Sequence, residues 1–205
     1  MIKEIKITFL GNSGVGKSSI VKRYCFEEFD EHNQSNLGAD YVPKEMEYQN
    51  NKIKLQIWDT AGQEKFRSLV PLFLRNAQAV IIVYDITQKS SFTQLKEWVS
   101  SLEQICSKNQ LFFLVGNKCD LIEQEQVTYD EAKQYSYVQQ PYIQNLKAPL
   151  QYTSCKNNEG IQELFQKIVE EYLKQEEELK NKELLINEKQ NSKLKVEKKN
   201  YSTCC

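Results

Sequence analysis

Histidine is almost missing from this chain of 205 residues, where His32 stands alone. The six cysteines, at 25, 106, 119, 155, 204 and 205, include no CxxC pair, so neither a zinc site nor a Cys/His catalytic pair is expected. An excess of charge is missing too. With 27 basic side chains against 28 acidic ones, no global field recruits nucleic acid. Any pull toward a membrane must come from a local segment or a lipid. Met1-Ile2-Lys3-Glu4-Ile5 lacks the apolar stretch of a signal peptide, and Ile2 stands where N-myristoylation requires glycine. The expectation is a cytosolic protein with reduced thiols. Its longest apolar run, Ala79 to Tyr84, is far short of the ~20 residues that a spanning helix needs.

What is present suits one medium domain and a tail, since a chain of this length buries one core and is too short for two ordinary domains. Apolar residues alternate with Lys6 and Thr8 from Ile5 to Leu10, then a glycine-rich turn leads into a helical stretch over Lys17 to Phe26. Residues 27–40 read as loop. A period of two through Met46, Tyr48, Ile53, Leu55 and Ile57, around Asn50-Asn51, predicts a hairpin over 41–58 with one polar face. Continuous apolar runs at Ala79 to Tyr84 and Leu111 to Val115 suit central parallel strands. Helical stretches are predicted at Ser90 to Cys106 and Thr128 to Tyr137, the second opened by a capping box of Thr128 and Glu131. The last helix carries a core-facing stripe of Ile161, Leu164, Phe165, Ile168, Val169, Tyr172 and Leu173. Beyond about Lys174 apolar residues thin out among Glu, Lys, Asn and Gln, which predicts a disordered tail or a frayed helix.

Chemistry concentrates in the loops after the strands. Gly11-Asn12-Ser13-Gly14-Val15-Gly16-Lys17-Ser18 fits GxxxxGK[ST] between strand and helix, the context that separates a P-loop from a chance glycine turn. There the backbone N–H groups and the helix N-terminus cradle phosphates, with Ser19 continuing the same turn. Lys17 neutralises β and γ oxygens, and Ser18 ligates Mg²⁺. Asp59-Thr60-Ala61-Gly62-Gln63 follows the hairpin's second strand. Asp59 can hold Mg²⁺ through water, the Gly62 amide can reach a γ-phosphate, and Gln63 can orient the attacking water. DxxG means little alone and gains weight from its position, a solvated turn being the alternative.

Asn117-Lys118-Cys119-Asp120 follows the buried run at a strand's carboxyl end, where open α/β sheets bind ligands. A carboxylate at Asp120 accepts two hydrogens from guanine N1 and N2. Adenine offers no such pair, so GTP is favoured over ATP and an ATP-dependent P-loop enzyme is the disfavoured reading. Ser154-Cys155-Lys156 follows a short strand over Leu150 to Thr153 and can set the Cys155 N–H against guanine O6. Six of the seven glycines, 11, 14, 16, 38, 62 and 116, lie in or beside these loops, and Gly160 does not.

Over roughly residues 3–174 the chain resembles the Ras superfamily of small GTPases, and within it the Rab family. The resemblance rests on the nucleotide motifs together with Leu37-Gly38-Ala39-Asp40-Tyr41, Lys54-Leu55-Gln56-Ile57-Trp58, Lys65-Phe66-Arg67-Ser68-Leu69 and Val83-Tyr84-Asp85-Ile86-Thr87. It implies an α/β P-loop NTPase fold with a mostly parallel six-stranded sheet flanked by helices, a GTPase domain over 1–174, and a flexible hypervariable tail over 175–205. It further implies a monomeric GTP/GDP switch that hydrolyses GTP with Mg²⁺ and regulates vesicle traffic. The partners implied are an exchange factor, a GTPase-activating protein, an escort or dissociation inhibitor, and effectors. Phe29, twelve positions beyond Lys17, is implied to pack across the guanine edge.

Seven positions further, where the family has a switch I threonine that gives Mg²⁺ its hydroxyl, this chain has Asn36, with Gly38 and Asp40 in register. A carboxamide oxygen is longer than a hydroxyl, and Mg²⁺ demands near-ideal octahedral geometry. A weaker or water-mediated contact is expected, with slower hydrolysis. Against this stands adequate substitution by Asn36 or Ser35, and, at the extreme, a GTP-binding scaffold with little turnover. A second departure is the long stretch Gln139 to Leu150, with Pro141 and Pro149, read as a surface loop.

The chain ends in Cys204-Cys205, similar to the Rab double-geranylgeranylation terminus. Two prenyl chains supply the two signals that stable anchoring takes. The implied location is the cytoplasmic face of endomembranes, with a cytosolic pool. Lys193, Lys195, Lys198 and Lys199 can assist on anionic leaflets or merely keep the tail solvated.

Overall fold

Residues 2–31, 38–60, 69–103, 109–139 and 150–201 are described by the computed structural model of the chain. Within them the apolar segments form one sheet: β1 (Lys3–Leu10), β2 (Ala39–Tyr48), β3 (Asn51–Thr60), β4 (Ala79–Asp85), β5 (Leu111–Asn117) and β6 (Gln151–Thr153), in the order β2-β3-β1-β4-β5-β6. Only β2 runs antiparallel, against β3; every other pairing is parallel. The α/β architecture expected from the sequence is therefore present, with its mostly parallel six-stranded sheet.

β4 and β5 are buried along their whole length, as their unbroken apolar runs require of strands covered on both faces. Alternation divides the two faces. Leu10, Val80, Ile82, Tyr84, Phe112 and Leu114 pack with Val70 and Leu74 of α2 (Val70–Leu74), Phe92 of α3 (Lys89–Thr93), Leu95, Trp98, Val99 and Leu102 of α4 (Leu95–Glu103), and Ala132 of α5 (Tyr129–Gln139). The opposite face takes α1 (Lys17–Phe26) and the first turns of α6 (Ile161–Tyr201): Phe9 meets Phe165 at a centroid distance of 6.1 Å, and Phe165 stacks on Tyr24 at 3.6 Å.

Ile161, Leu164, Phe165, Ile168 and Val169 are all fully buried. At ~1.5–3 kcal/mol for each large apolar side chain, this burial and not helix propensity decides the conformation there. Two compact units are distinguished, residues 1–169 and residues 170–205. In the second the chain is helical as far as Tyr201. A frayed or disordered tail is what burial arguments alone predict, but Glu, Lys, Gln and Leu are good helix formers. The pair Glu176–Lys180, 3.2 Å apart at i, i+4, adds a little more.

Two local expectations need correction. The hairpin turn is Gln49-Asn50 and not Asn50-Asn51: both residues have positive φ, 48° and 63°, as a tight hairpin turn demands. Asn51 already belongs to β3 and donates its side-chain amide to the Gln49 carbonyl at 3.1 Å. The helix predicted from Ser90 to Cys106 is two helices that meet at Gln94. That hitch lets Ser91 and Phe92 be buried together with Leu95, Trp98, Val99 and Leu102. Half of the capping box at Thr128 is present, since the Glu131 N–H donates to Thr128 Oγ1 at 3.3 Å. The stretch from Gln140 to Pro149 lies outside the described residues.

Candidate functional site

Because β1, β3, β4, β5 and β6 are parallel, the loops that follow them share the carboxyl edge of the sheet, and β1 sits where the strand order turns outward in both directions. Such a switch point is where open α/β sheets hold ligands.

The loop after β1 is shaped around backbone. Gly16 has φ 96°, and a Cβ there would fall 2.1 Å from the Asn117 side-chain nitrogen, so only glycine fits. α1 then opens with no acidic residue in its first turn and no side-chain cap on its amides, which leaves its positive end for an anion. Lys17 is 5% exposed, and its ammonium donates to the carbonyls of Gly11 (2.9 Å) and Asn12 (2.8 Å). Burial lowers it to about 8, and the negative charge of Asp59 works against that shift. Asn12 does not turn its side chain to the loop's interior. Its Oδ1 accepts from Trp98 Nε1 at 2.9 Å, and its amide nitrogen donates to Gln94 Oε1. Gln94 is the hitch between α3 and α4, and Trp98 follows it in the first turn of α4.

Asp59, at the end of β3, is 3% exposed. Burial raises its pKa, while a hydrogen bond from Ser18 and the charge of Lys17 oppose the rise. Thr60, next along, donates to the Phe9 carbonyl at 2.6 Å and holds this strand end against β1. The Ser18 hydroxyl and the Asp59 carboxylate are thus adjacent hard oxygen donors, a set that suits Mg²⁺. Among the described residues no group of three or more His, Cys, Asp and Glu converges on a metal position. A Mg²⁺ ion characteristically completes its shell with water and phosphate oxygens.

The other half of the site is built around Asn117. Its side-chain nitrogen donates to the Val15 carbonyl at 2.9 Å, and its oxygen accepts from Thr153 Oγ1 at 3.0 Å and from the Cys155 thiol at 3.6 Å. One buried amide therefore joins the loops after β1, β5 and β6. Lys118 takes a left-handed conformation, φ 68°, and pairs with Asp85 at 2.6 Å. Ser154 donates to Asp120 at 2.6 Å and accepts from the Asn157 N–H at 3.0 Å, so the carboxylate is held by its neighbour loop. The Cys155 thiol is pushed up to about 12 by burial, which leaves it unreactive at neutral pH. Phe29 lines a cavity of about 370 Å³ with Ser19, Lys22, Glu28 and Asp30.

The model of the Ras family matches residues 6–174. This chain belongs to the Ras family. Among curated relatives, Ras-related protein Rab-22A of Homo sapiens is 43% identical over 164 residues, which cover 80% of this chain and 81% of the relative. Ras-related protein Rab-31 of Homo sapiens is 42% identical over 167 residues, 82% of each chain. The protein is thus a Rab-like small GTPase of the P-loop fold, which hydrolyses GTP to GDP and acts in vesicle traffic. Ras-family GTPases generally use Mg²⁺. Among the described residues no helix is long and apolar enough to cross a membrane.

Of the residues singled out in the sequence, Gly11 to Gly16, Lys118, Asp120 and Ser154 to Lys156 stand between the strands and helices at this edge, Asp59 and Asn117 at the ends of β3 and β5, and Lys17 to Ser19 in the first turn of α1. Asn36, Gly62, Gln63, Cys204 and Cys205 lie outside the described residues. Motif reading missed four side chains that support these loops: Asp85, Thr153, Trp98 and Arg23. Only Asp85, a carboxylate ending a buried strand, carried a local signal that could have found it.

Proposed function

We propose that GTP and GDP bind along this carboxyl edge and that each loop takes one part of the nucleotide. The backbone from Gly11 to Ser19, with Lys17, receives the phosphates, while Asn117, Lys118, Asp120 and the Ser154–Lys156 loop receive guanine, with Phe29 packed across its edge. Ser18 and Asp59 would hold Mg²⁺, with Asn36 the further ligand expected from switch I. Bound there, the metal would supply positive charge against the charge that develops on the phosphate in hydrolysis. Gly62 directs its amide at the γ-phosphate and Gln63 orients water for in-line attack, so the chain's own work is positioning and charge neutralisation. An activating partner supplies an arginine, worth ~10³ to 10⁵ in rate. Cys204 and Cys205 carry prenyl groups that hold the protein, a monomer, on the cytoplasmic face of endomembranes. A dissociation inhibitor carries the cytosolic pool.

The observation that supports this reading most directly is the Asn117 amide, which bonds to Val15 in the phosphate loop and receives Thr153 from the base side. A nucleotide needs both loops at one fixed separation. The test is displacement of a fluorescent GDP analogue from the full chain by GTP, GDP and ATP in Mg²⁺, followed by single-turnover hydrolysis with and without an activating protein. Displacement by both guanine nucleotides but not ATP, and faster turnover with the partner, are expected. Equal displacement by ATP would sink the base assignment. Asn36 favours one second reading, a GTP-binding scaffold with little turnover, which partner-stimulated hydrolysis excludes.

A further inference from the structure

We propose that Arg23 is a positioning residue that sets how long a guanine nucleotide stays bound, by fastening the two walls of the base pocket to each other. The inference rests on the nucleotide site proposed above. Arg23 lies in the last turn of α1, with no motif around it, and its guanidinium serves two separate segments. Nε donates to the Cys155 carbonyl at 2.7 Å and an Nη to the Lys156 carbonyl at 3.4 Å, both in the loop after β6. The other Nη donates to the Glu27 carbonyl at 2.8 Å, where the chain leaves α1 toward Phe29. The same group lies over the Phe29 ring, 5.7 Å from its centroid.

The chemistry suits arginine alone. Its planar fork sends several N–H groups in fixed directions and presents a flat, weakly hydrated cation to an aromatic face. Three carbonyls from two segments 132 and 133 positions apart from Arg23 on one side, and four on the other, are met by one group. A lysine ammonium is a point donor and cannot span them.

A second link joins the same two segments: Lys156 pairs with Glu31 at 2.9 Å. Both of its side chains are more than half exposed, so this pair contributes little alone and fades with salt. Arg23 is the half-buried member of the two. If guanine lies between Phe29 and the Ser154–Lys156 loop, it leaves when those walls part, and Arg23 opposes that parting. Its contacts are all on the base side, away from Lys17 and Asp59, so it acts on whatever is common to GDP and GTP.

The experiment is nucleotide release from the full chain in Mg²⁺, followed with fluorescent GDP and a fluorescent non-hydrolysable GTP analogue, for the unsubstituted chain, R23M and R23K. Loss of one or two charge-assisted hydrogen bonds predicts release about ten- to a hundredfold faster in R23M. The same factor is expected for both nucleotides. R23K, which keeps charge and stem but lacks the fork, stays at least about fivefold faster than the unsubstituted chain. A purely structural role for the stem predicts instead that R23K restores slow release. The proposal is overturned if R23K releases within twofold of the unsubstituted chain, a measurement that also decides the matter where R23M fails to fold. It is equally overturned if only the GTP analogue is released faster, since that locates the effect at the phosphates. Failure of the unsubstituted chain to bind guanine nucleotides at all overturns the site itself, a different result.

Discussion

Replacing Asn117 by alanine removes no charge and touches no catalytic group, yet it should cost more than a surface change because three loops share its amide. The side chain is 2% exposed, and its main partners, the Val15 carbonyl and the Thr153 hydroxyl, belong to fully buried residues. In the variant the carbonyl loses its donor at 2.9 Å and the hydroxyl its acceptor at 3.0 Å. Each buried polar group left without a partner costs about 1–3 kcal/mol, so the two together predict a loss of about 2–6 kcal/mol. Water entering the vacated space shifts the loss toward the lower end. The Cys155 thiol, 3.6 Å from the same oxygen, is a weak donor and adds little.

The assay is urea unfolding of the full chain at two fixed GDP concentrations, because bound nucleotide itself stabilises by RT ln(1 + [L]/Kd). The midpoint falls and the slope stays the same. Weaker GDP binding makes the loss larger at the higher GDP concentration. Thr153→Val completes a double-mutant cycle with a coupling of about 1 kcal/mol expected between the two positions. A midpoint shift below about 0.5 kcal/mol, the range of ordinary surface substitutions, would refute the reasoning, since it would mean that the loops hold their separation without the amide.

Three further outcomes are expected. Asp120→Asn, which removes the paired acceptor that Ser154 holds in place at 2.6 Å, lowers the preference for GTP over ATP by at least about a hundredfold in competition binding. Asn36→Thr raises the single-turnover hydrolysis rate and tightens Mg²⁺-dependent GTP binding; no change in either means that the carboxamide already does the hydroxyl's work. Cys204→Ser together with Cys205→Ser abolishes partition of the prenyltransferase-treated protein onto liposomes, while either single change leaves partial binding, because one chain anchors only marginally.

Local pattern made much of this fold legible. β4 and β5 announced themselves because a strand buried on both faces must be apolar without interruption, and α1 begins at Lys17 because the P-loop ends there. α2 was not legible: five residues give no helical period, and Pro71 reads as a breaker unless it is known to sit in a first turn. The site divides in the same way. Lys17, Asp59 and Asp120 sit in motifs and lie at the carboxyl edge of the sheet, and under the nucleotide reading proposed above the spacing of each motif answers to the ligand it meets. Gly116 sits beside such a motif for another reason. A Cβ there would fall 2.7 Å from both the Tyr152 ring and the Tyr84 hydroxyl, so its size answers to core packing.

The side chains that no motif displayed are those that join one loop to another. Trp98 reaches Asn12 across 86 positions and Arg23 reaches Cys155 across 132, and no window of sequence contains both ends of either bond. Asn117 and Arg23 also differ in a way that bears on exchange. Asn117 is buried and joins the loop after β1 to the end of β6, so loosening it costs folding stability and, under the proposal above, affinity as well. Arg23 is half-exposed and joins the loop after β6 to the Glu27–Phe29 segment, so loosening it parts those two segments and leaves the core intact. Under the proposal above, release is therefore graded at Arg23 and forbidden at Asn117. An exchange partner that pulls the Glu27–Phe29 segment from the Cys155–Lys156 loop then has a half-buried guanidinium and an exposed ion pair to overcome, both accessible from solvent.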